Sequence, residues 1–132
     1  MDLRGTSCPV AVLSARLNWA FLAPVAMLAG SNLLMNTAWY WHLKVPGKAL
    51  WLVVLLSWGI AFFEYGIAVP ANRIGARVYS LEQLKVIQEF MSLLSFVLVA
   101  WALFGQKPGW NEVVGFSLVG AGAWFIFKGP LG

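Results

Sequence analysis

Charge is what this sequence has least of. Only 11% of its 132 residues are charged, while 61% are apolar; a soluble domain carries about 25% charged residues. A water-soluble core of this size cannot absorb so much apolar surface, so hydrocarbon is the expected solvent. There is one cysteine, Cys8, which excludes an internal disulfide and leaves the redox compartment unread. There is one histidine, His42, and a lone His and a lone Cys far apart are not a metal-ligand set. No Ser-His-Asp arrangement can be placed, and no Gly-rich phosphate loop follows a strand, because no strand is expected. The chain is read as having no catalytic residues, no metal and no cofactor, and as not being an enzyme. The net charge of +4 does not point to nucleic acid, because the basic residues fall between apolar runs as topology signals do. Internal repeats and low-complexity segments are absent.

What is present is a series of apolar runs of membrane-spanning length. Residues 1–20 read as a tail or interfacial segment, and residues 21–132 as one transmembrane domain. The first span is expected over about 24–41, from Leu17 at the earliest, with Pro24 in its first turn and Trp39, Tyr40 and Trp41 as an aromatic girdle at the headgroups. Pro46-Gly47 makes a tight turn. The second span is expected over about 49–69, stopped by Pro70, with Asn72 and Arg73 in the loop that follows. The third runs over about 81–104, with Ser80 and Gln83 in capping-box spacing. The fourth runs over about 111–128, with Asn111 as a cap and Glu112 complementing the helix dipole. Its Gly115, Gly120, Ala121, Gly122 and Ala123 allow close approach of another helix. The expected fold is therefore all-α: an integral membrane bundle of four transmembrane helices with short loops. Four spans put both termini on one side, with Arg4, Arg16, Arg73, Arg77 and Lys128, and with Lys85 near them. Lys44, Lys48 and Lys107 lie on the other, so the bias places the termini in the cytoplasm.

The candidate chemistry lies in ionisable and polar residues inside these spans. Glu64 sits near the expected end of the second helix and Glu89 about eight residues into the third. Both are expected at similar depth from the same membrane side. An ionised carboxylate there is costly unless a proton or a cation settles its charge, so such a group can exchange a proton for a cationic substrate. If the two faced each other, their protonation would be coupled. Gln88 flanks Glu89, and Lys85 lies four residues before it, where it can also simply neutralise it. Arg73 can reach Glu64 from the loop. Trp58, Tyr65 and Tyr40 offer aromatic faces to a lipophilic cation. Asn32 and Asn36, four apart beside Ser31, share a helix face and suit interhelical hydrogen bonds or a ligand contact.

Several runs of this sequence are familiar in order: Ser31-Asn32, Ala38-Trp39-Tyr40, Ser57-Trp58-Gly59-Ile60-Ala61-Phe62-Phe63-Glu64-Tyr65, Val69-Pro70-Ala71-Asn72-Arg73-Ile74-Gly75, Gln83-Leu84-Lys85, Gln88-Glu89 and Trp110-Asn111. From about Pro24 to Phe127 the chain resembles a family of small four-helix membrane proteins of unknown function, assigned to the drug/metabolite transporter superfamily. The resemblance implies a multipass inner-membrane protein related to small multidrug-resistance transporters, which work as antiparallel dimers with a glutamate in the first helix. Here the first helix carries Asn32 and Asn36 and no acid, so an analogous role would shift to Glu64 or Glu89.

Two functions from different classes are compatible with this. One is a small transporter, a homodimer in the lipid bilayer, coupled to protons through its intramembrane glutamates. The other is a non-transporting subunit of a larger membrane complex, with the eight tryptophans packing against partners or pigments.

Overall fold

The computed structural model describes residues 9–129. Four α-helices follow in chain order: α1, Pro9–Tyr40; α2, Leu50–Gly75; α3, Leu81–Phe104; and α4, Trp110–Lys128, with a 3-10 turn, Trp41–Lys44, closing α1. No strand occurs among the described residues, and all four helices are long and apolar enough to cross a membrane. The expected tail falls partly outside the described residues, with Arg4 and Cys8. From Pro9 onward the chain is helical and continuous with the first span. At 1.5 Å per residue, α1 is about 48 Å long, more than the roughly 30 Å of hydrocarbon.

Pro24 is therefore inside α1 rather than in its first turn. A proline in a helix interior removes a ladder bond and opens the turn before it. The Tyr79 hydroxyl donates to the Phe21 carbonyl in that turn, at 3.0 Å. Groups supplied by neighbouring segments are what make proline tolerable in a membrane helix. Pro70 likewise fails to end α2, which continues to Gly75. Its ring is exposed, so it deprives the helix of one N–H without meeting a neighbour. Beyond it, the Asn72 amide donates to the Ala68 carbonyl at 3.0 Å. Asn72 and Arg73 thus belong to the last turns of α2, not to a loop.

The start of α3 is as its sequence spells it. The Gln83 N–H donates to the Ser80 hydroxyl at 3.2 Å, and the Ser80 N–H to the Gln83 amide oxygen at 3.0 Å. Gly105, at φ 66°, closes the helix in the left-handed conformation that glycine adopts freely. Gly109, not Asn111, is the cap residue of α4, and its N–H donates to the Glu112 carboxylate at 3.0 Å. The reach back from Glu112 favours the earlier start.

α1 is the common neighbour in the bundle, packing against both α2 and α3, while α4 leans on α3. The core is where the first three helices meet: Leu28 and Ala71 are fully enclosed, with Ile87 against them and Val25, Met27, Tyr79 and Met91 around. Small residues let the helices close. Gly75 faces Leu84 of α3 and Pro24 of α1 with no room for a side chain. Two polar ties hold the bundle elsewhere. The Asn36 amide donates to the Ser92 carbonyl at 3.0 Å, joining α1 to α3, and the Trp41 indole donates to the Ser57 hydroxyl at 3.0 Å. No residue of α4 is buried.

Candidate functional site

The extension of α2 past Pro70 changes where Glu64 lies. It is eleven residues from Gly75 and fourteen from Leu50, or about 16 Å and 21 Å along the axis. That is close to the middle of the helix, not near its end as a stop at Pro70 implied. Ser31 sits at the centre of the first apolar span, Asn18–Lys44. The two antiparallel helices bring these mid-span residues together, and the Ser31 hydroxyl donates to Glu64 Oε1 at 2.6 Å.

Glu64 is 4% exposed and Ser31 is fully enclosed. Among the described residues the Glu64 carboxyl has no salt-bridge partner within 4 Å and accepts no second side-chain hydrogen bond. It lines a cleft of about 500 Å³ with Met35 from α1, Tyr65, Ala68, Val69, Asn72, Arg73 and Ala76 from α2, and Gln88 from α3. One acid, two amides, a phenol and a guanidinium thus border one space, between walls of Met35, Ala68 and Val69. The acid lies at its deep end by burial, and the exposed Arg73 lies towards the helix end.

The structure separates the two acids that the sequence suggested would meet. Glu89 points outward: its side chain is 57% exposed and pairs with Lys85, itself 67% exposed, within one turn of α3. Helical periodicity explains the parting. Adjacent residues stand about 100° apart, so Gln88, not Glu89, is turned to the cleft. Lys85 and Glu89 leave the site together, while Glu64, Gln88, Tyr65, Asn72 and Arg73 are gathered in it. Trp58 is exposed on the outer face of α2 and packs on Phe62. Tyr40 packs edge-on against Phe96, away from the cleft.

Asn32 and Asn36 are both buried, but their amides are engaged with backbone. Asn32 donates to the Leu28 carbonyl at 2.8 Å, and Asn36 to the Asn32 and Ser92 carbonyls at 3.1 and 3.0 Å. The Asn36 bond to Ser92 ties α1 to α3, whereas the Asn32 bond stays within α1. Ser31, noted in the sequence only as the neighbour of Asn32 and Asn36, and Met35 are among the site residues that sequence reasoning did not single out. The signal for Ser31 was available, since a hydroxyl at the centre of an apolar span needs a partner there. Among the described residues no group of three or more His, Cys, Asp or Glu side chains could hold a metal ion.

Comparison with protein families adds one decisive match. Residues 24–127 fit the family described as "Putative member of DMT superfamily (DUF486)". The chain belongs to this family. The match spans all four helices from Pro24, so the DUF486 unit includes the Ser31–Glu64 contact and the whole cleft. Its assignment is to a superfamily of transporters, and with four apolar helices it makes this a multi-pass membrane protein of transporter type. Neither a curated protein nor a solved structure matches the chain.

Proposed function

We propose that this DUF486 protein is a small carrier in which Glu64 binds a proton or a cation in alternation, and that its cargo is a small lipophilic cation. The reading is of a carrier rather than an enzyme, seated in the inner (plasma) membrane with its termini in the cytoplasm. One observation carries it. A carboxyl group sits at mid-span, enclosed, with a single hydroxyl donor and no fixed cation among the described residues, and it opens on a cleft large enough for a small solute. An acid placed there as mere structure would be matched by a fixed base or by more donors, because ionised side chains inside a membrane are costly unless paired. Ser31 serves either state, since a hydroxyl can donate to a carboxylate and accept from a carboxylic acid. Tyr65 and Met35 supply polarisable surface for the organic part of a cation. Asn72, Gln88 and Arg73 line the way to the water on the side of the termini.

The test is flux into proteoliposomes of a radiolabelled phosphonium cation, driven by an outward or an inward proton gradient. Wild-type protein is expected to couple uptake to the gradient. Glu64→Gln, which keeps shape and folding, is expected to abolish coupled flux, whereas Glu64→Asp retains part of it with an altered pH profile. Gradient-driven flux in Glu64→Gln equal to wild type would remove Glu64 from the mechanism. Fixed-stoichiometry co-purification with other chains, and no flux of any cation, would favour the accessory-subunit reading instead.

A further inference from the structure

The ion pair that leaves the cleft poses its own question. Lys85 and Glu89 lie within the span of α3, yet their side chains are 67% and 57% exposed. α3 has 24 residues, about 36 Å, so it overruns the roughly 30 Å of hydrocarbon by about 3 Å at each end. Counting from Leu81, the Cα of Lys85 is then about 3 Å inside and that of Glu89 about 9 Å inside. Lysine can extend its head to the interface from that depth, but glutamate is too short. Charged side chains within membranes face a protein interior or water, not acyl chains. Lys85 and Glu89, four residues apart, form a stripe one turn long that is not the face α3 turns to α1, where Leu84, Ile87, Ser95 and Val99 are buried; further along the helix Ser92 and Phe96 meet Asn36 and Tyr40 of α1.

We propose that this stripe is covered by a second copy of the same chain, related by a two-fold axis along the membrane normal, so that both copies point the same way. The partner must offer an anion to Lys85 and a cation to Glu89. A two-fold contact does this with one surface, because if Lys85 meets the second copy's Glu89, the reverse contact is made as well. Four charges then close into a neutral ring in which each carboxylate has two ammonium neighbours. The orientation follows from depth. The pair is centred near Ile87, while the centre of α3 falls between Ser92 and Leu93, about 8 Å away. An axis along the normal keeps both pairs at one depth, and the one-turn stagger of about 6 Å is within the reach of a lysine side chain. An axis lying in the membrane midplane would put the two pairs about 16 Å apart in depth and set Lys85 against Ala100. The charge pattern thus selects same-way packing over the antiparallel arrangement that resemblance to small multidrug-resistance transporters implies. This inference does not rest on Glu64 or on transport.

Charge swaps test it in mild detergent and in bilayers. Wild type is expected to run as a dimer. Lys85→Glu alone and Glu89→Lys alone are each expected to lose self-association, because each makes a ring of four like charges. Co-expressed with different tags, the two single variants are expected to co-purify as a heterodimer, and the double swap to recover the wild-type dimer. Single variants as dimeric as wild type, a monomeric wild type, or folded single variants that fail to pair with each other would each overturn the proposal. Orientation is read separately, and without touching the pair, from disulfide formation in a Cys8→Ser background. Leu81→Cys is expected to link to its own copy. No such link, with a link between Leu81→Cys on one copy and Phe104→Cys on the other, would refute same-way packing even if the swaps fail to fold.

Discussion

Gly75 is where α1, α2 and α3 close on one another, and adding one methyl group there is a sharp test of that junction. A Cβ at Gly75 would stand 2.5 Å from Leu84 Cδ2, 3.2 Å from Pro24 Cβ and 3.6 Å from Pro24 Cγ. The first distance is a clash and the second is tighter than ordinary contact. Leu84 could swing its terminal methyl aside, but it is 4% exposed and has little free space to enter. Pro24 cannot yield, because its ring is rigid and fully buried in α1. Overpacking a filled core by one methyl costs about 1–3 kcal/mol, and the better helix propensity of alanine returns at most about 1 kcal/mol at a helix end. Gly75→Ala is therefore expected to lower the detergent melting midpoint by several degrees, roughly 3–8 °C for a chain of this size. Leu84→Ala alone removes buried methyl groups and is expected to cost about 2–5 kcal/mol. The double variant should cost less than the sum by about 1 kcal/mol, since the alanine at 75 then meets open space; coupling of that size is typical of residues in contact. A Gly75→Ala protein that melts with wild type, or a strictly additive double variant, would refute this account of the junction.

Other contacts predict smaller, separable effects. Asn36→Leu removes the bond to the Ser92 carbonyl that joins α1 to α3; a loss of about 0.5–2 kcal/mol in denaturant titrations is expected, with cation flux retained if Asn36 only holds helices. Tyr79→Phe removes the hydroxyl that donates to the Phe21 carbonyl in the turn ahead of Pro24, and is expected to raise amide exchange in that turn of α1 by about tenfold, the size of a bond worth roughly 1 kcal/mol. Burial pushes the Tyr79 phenol above its usual value of 10.0. A raised folded-state value means its contribution is full below the unfolded value and is lost as pH climbs through the folded one. Wild type should therefore lose stability above about pH 10 relative to Tyr79→Phe, as read by parallel melts. Ser80→Ala deletes the hydroxyl that accepts from the Gln83 N–H in the α3 capping box, while the Ser80 N–H keeps its bond to the Gln83 amide oxygen; it is expected to cost about 0.5–2 kcal/mol, whereas Ser80→Asp should be nearly neutral in the same melts.

The number of helices, their order and the type of fold were legible because membrane spans are written in length and hydropathy alone. The start of the third helix was legible at Ser80, since a capping box is a local signal. The two prolines were misleading for one shared reason. In water a proline inside a helical pattern usually marks its end, but in a bilayer the chain cannot leave the helix at depth without stranding its backbone groups. Pro24 and Pro70 are therefore absorbed, the first with help from Tyr79 and the second on an exposed face. Sequence offers no local sign of that help, because Tyr79 is 58 residues from Phe21. The site was half legible. Glu64 could be singled out as an acid in an apolar run, but its partner depended on which helix became its neighbour. With α1 between α2 and α3, that neighbour is Ser31, while the α3 carboxylate is turned away.

The error over Pro70 and the separation of the two acids have one physical consequence for how the site can work. Two carboxyl groups sharing a shallow cavity would hold one proton between them, and the cavity would bind a cation by repulsion relieved. A single carboxyl group at mid-span, with one hydroxyl, has no such internal reserve. The proposed carrier would be filled by a proton or by a cation in its place, because an empty ionised carboxylate at that depth is penalised by the surrounding hydrocarbon. On the proposed carrier reading, that penalty forbids return of the empty charged carrier and so ties the movement of one cation to that of the other. Weakening it should uncouple the protein without stopping it. Val69→Ser, on the apolar wall of the Glu64 cleft, is expected to let water solvate the free carboxylate and to raise downhill leak of the phosphonium cation relative to proton-driven accumulation. If Val69→Ser instead leaves the ratio of leak to accumulation at the wild-type value, desolvation of Glu64 is not the source of coupling.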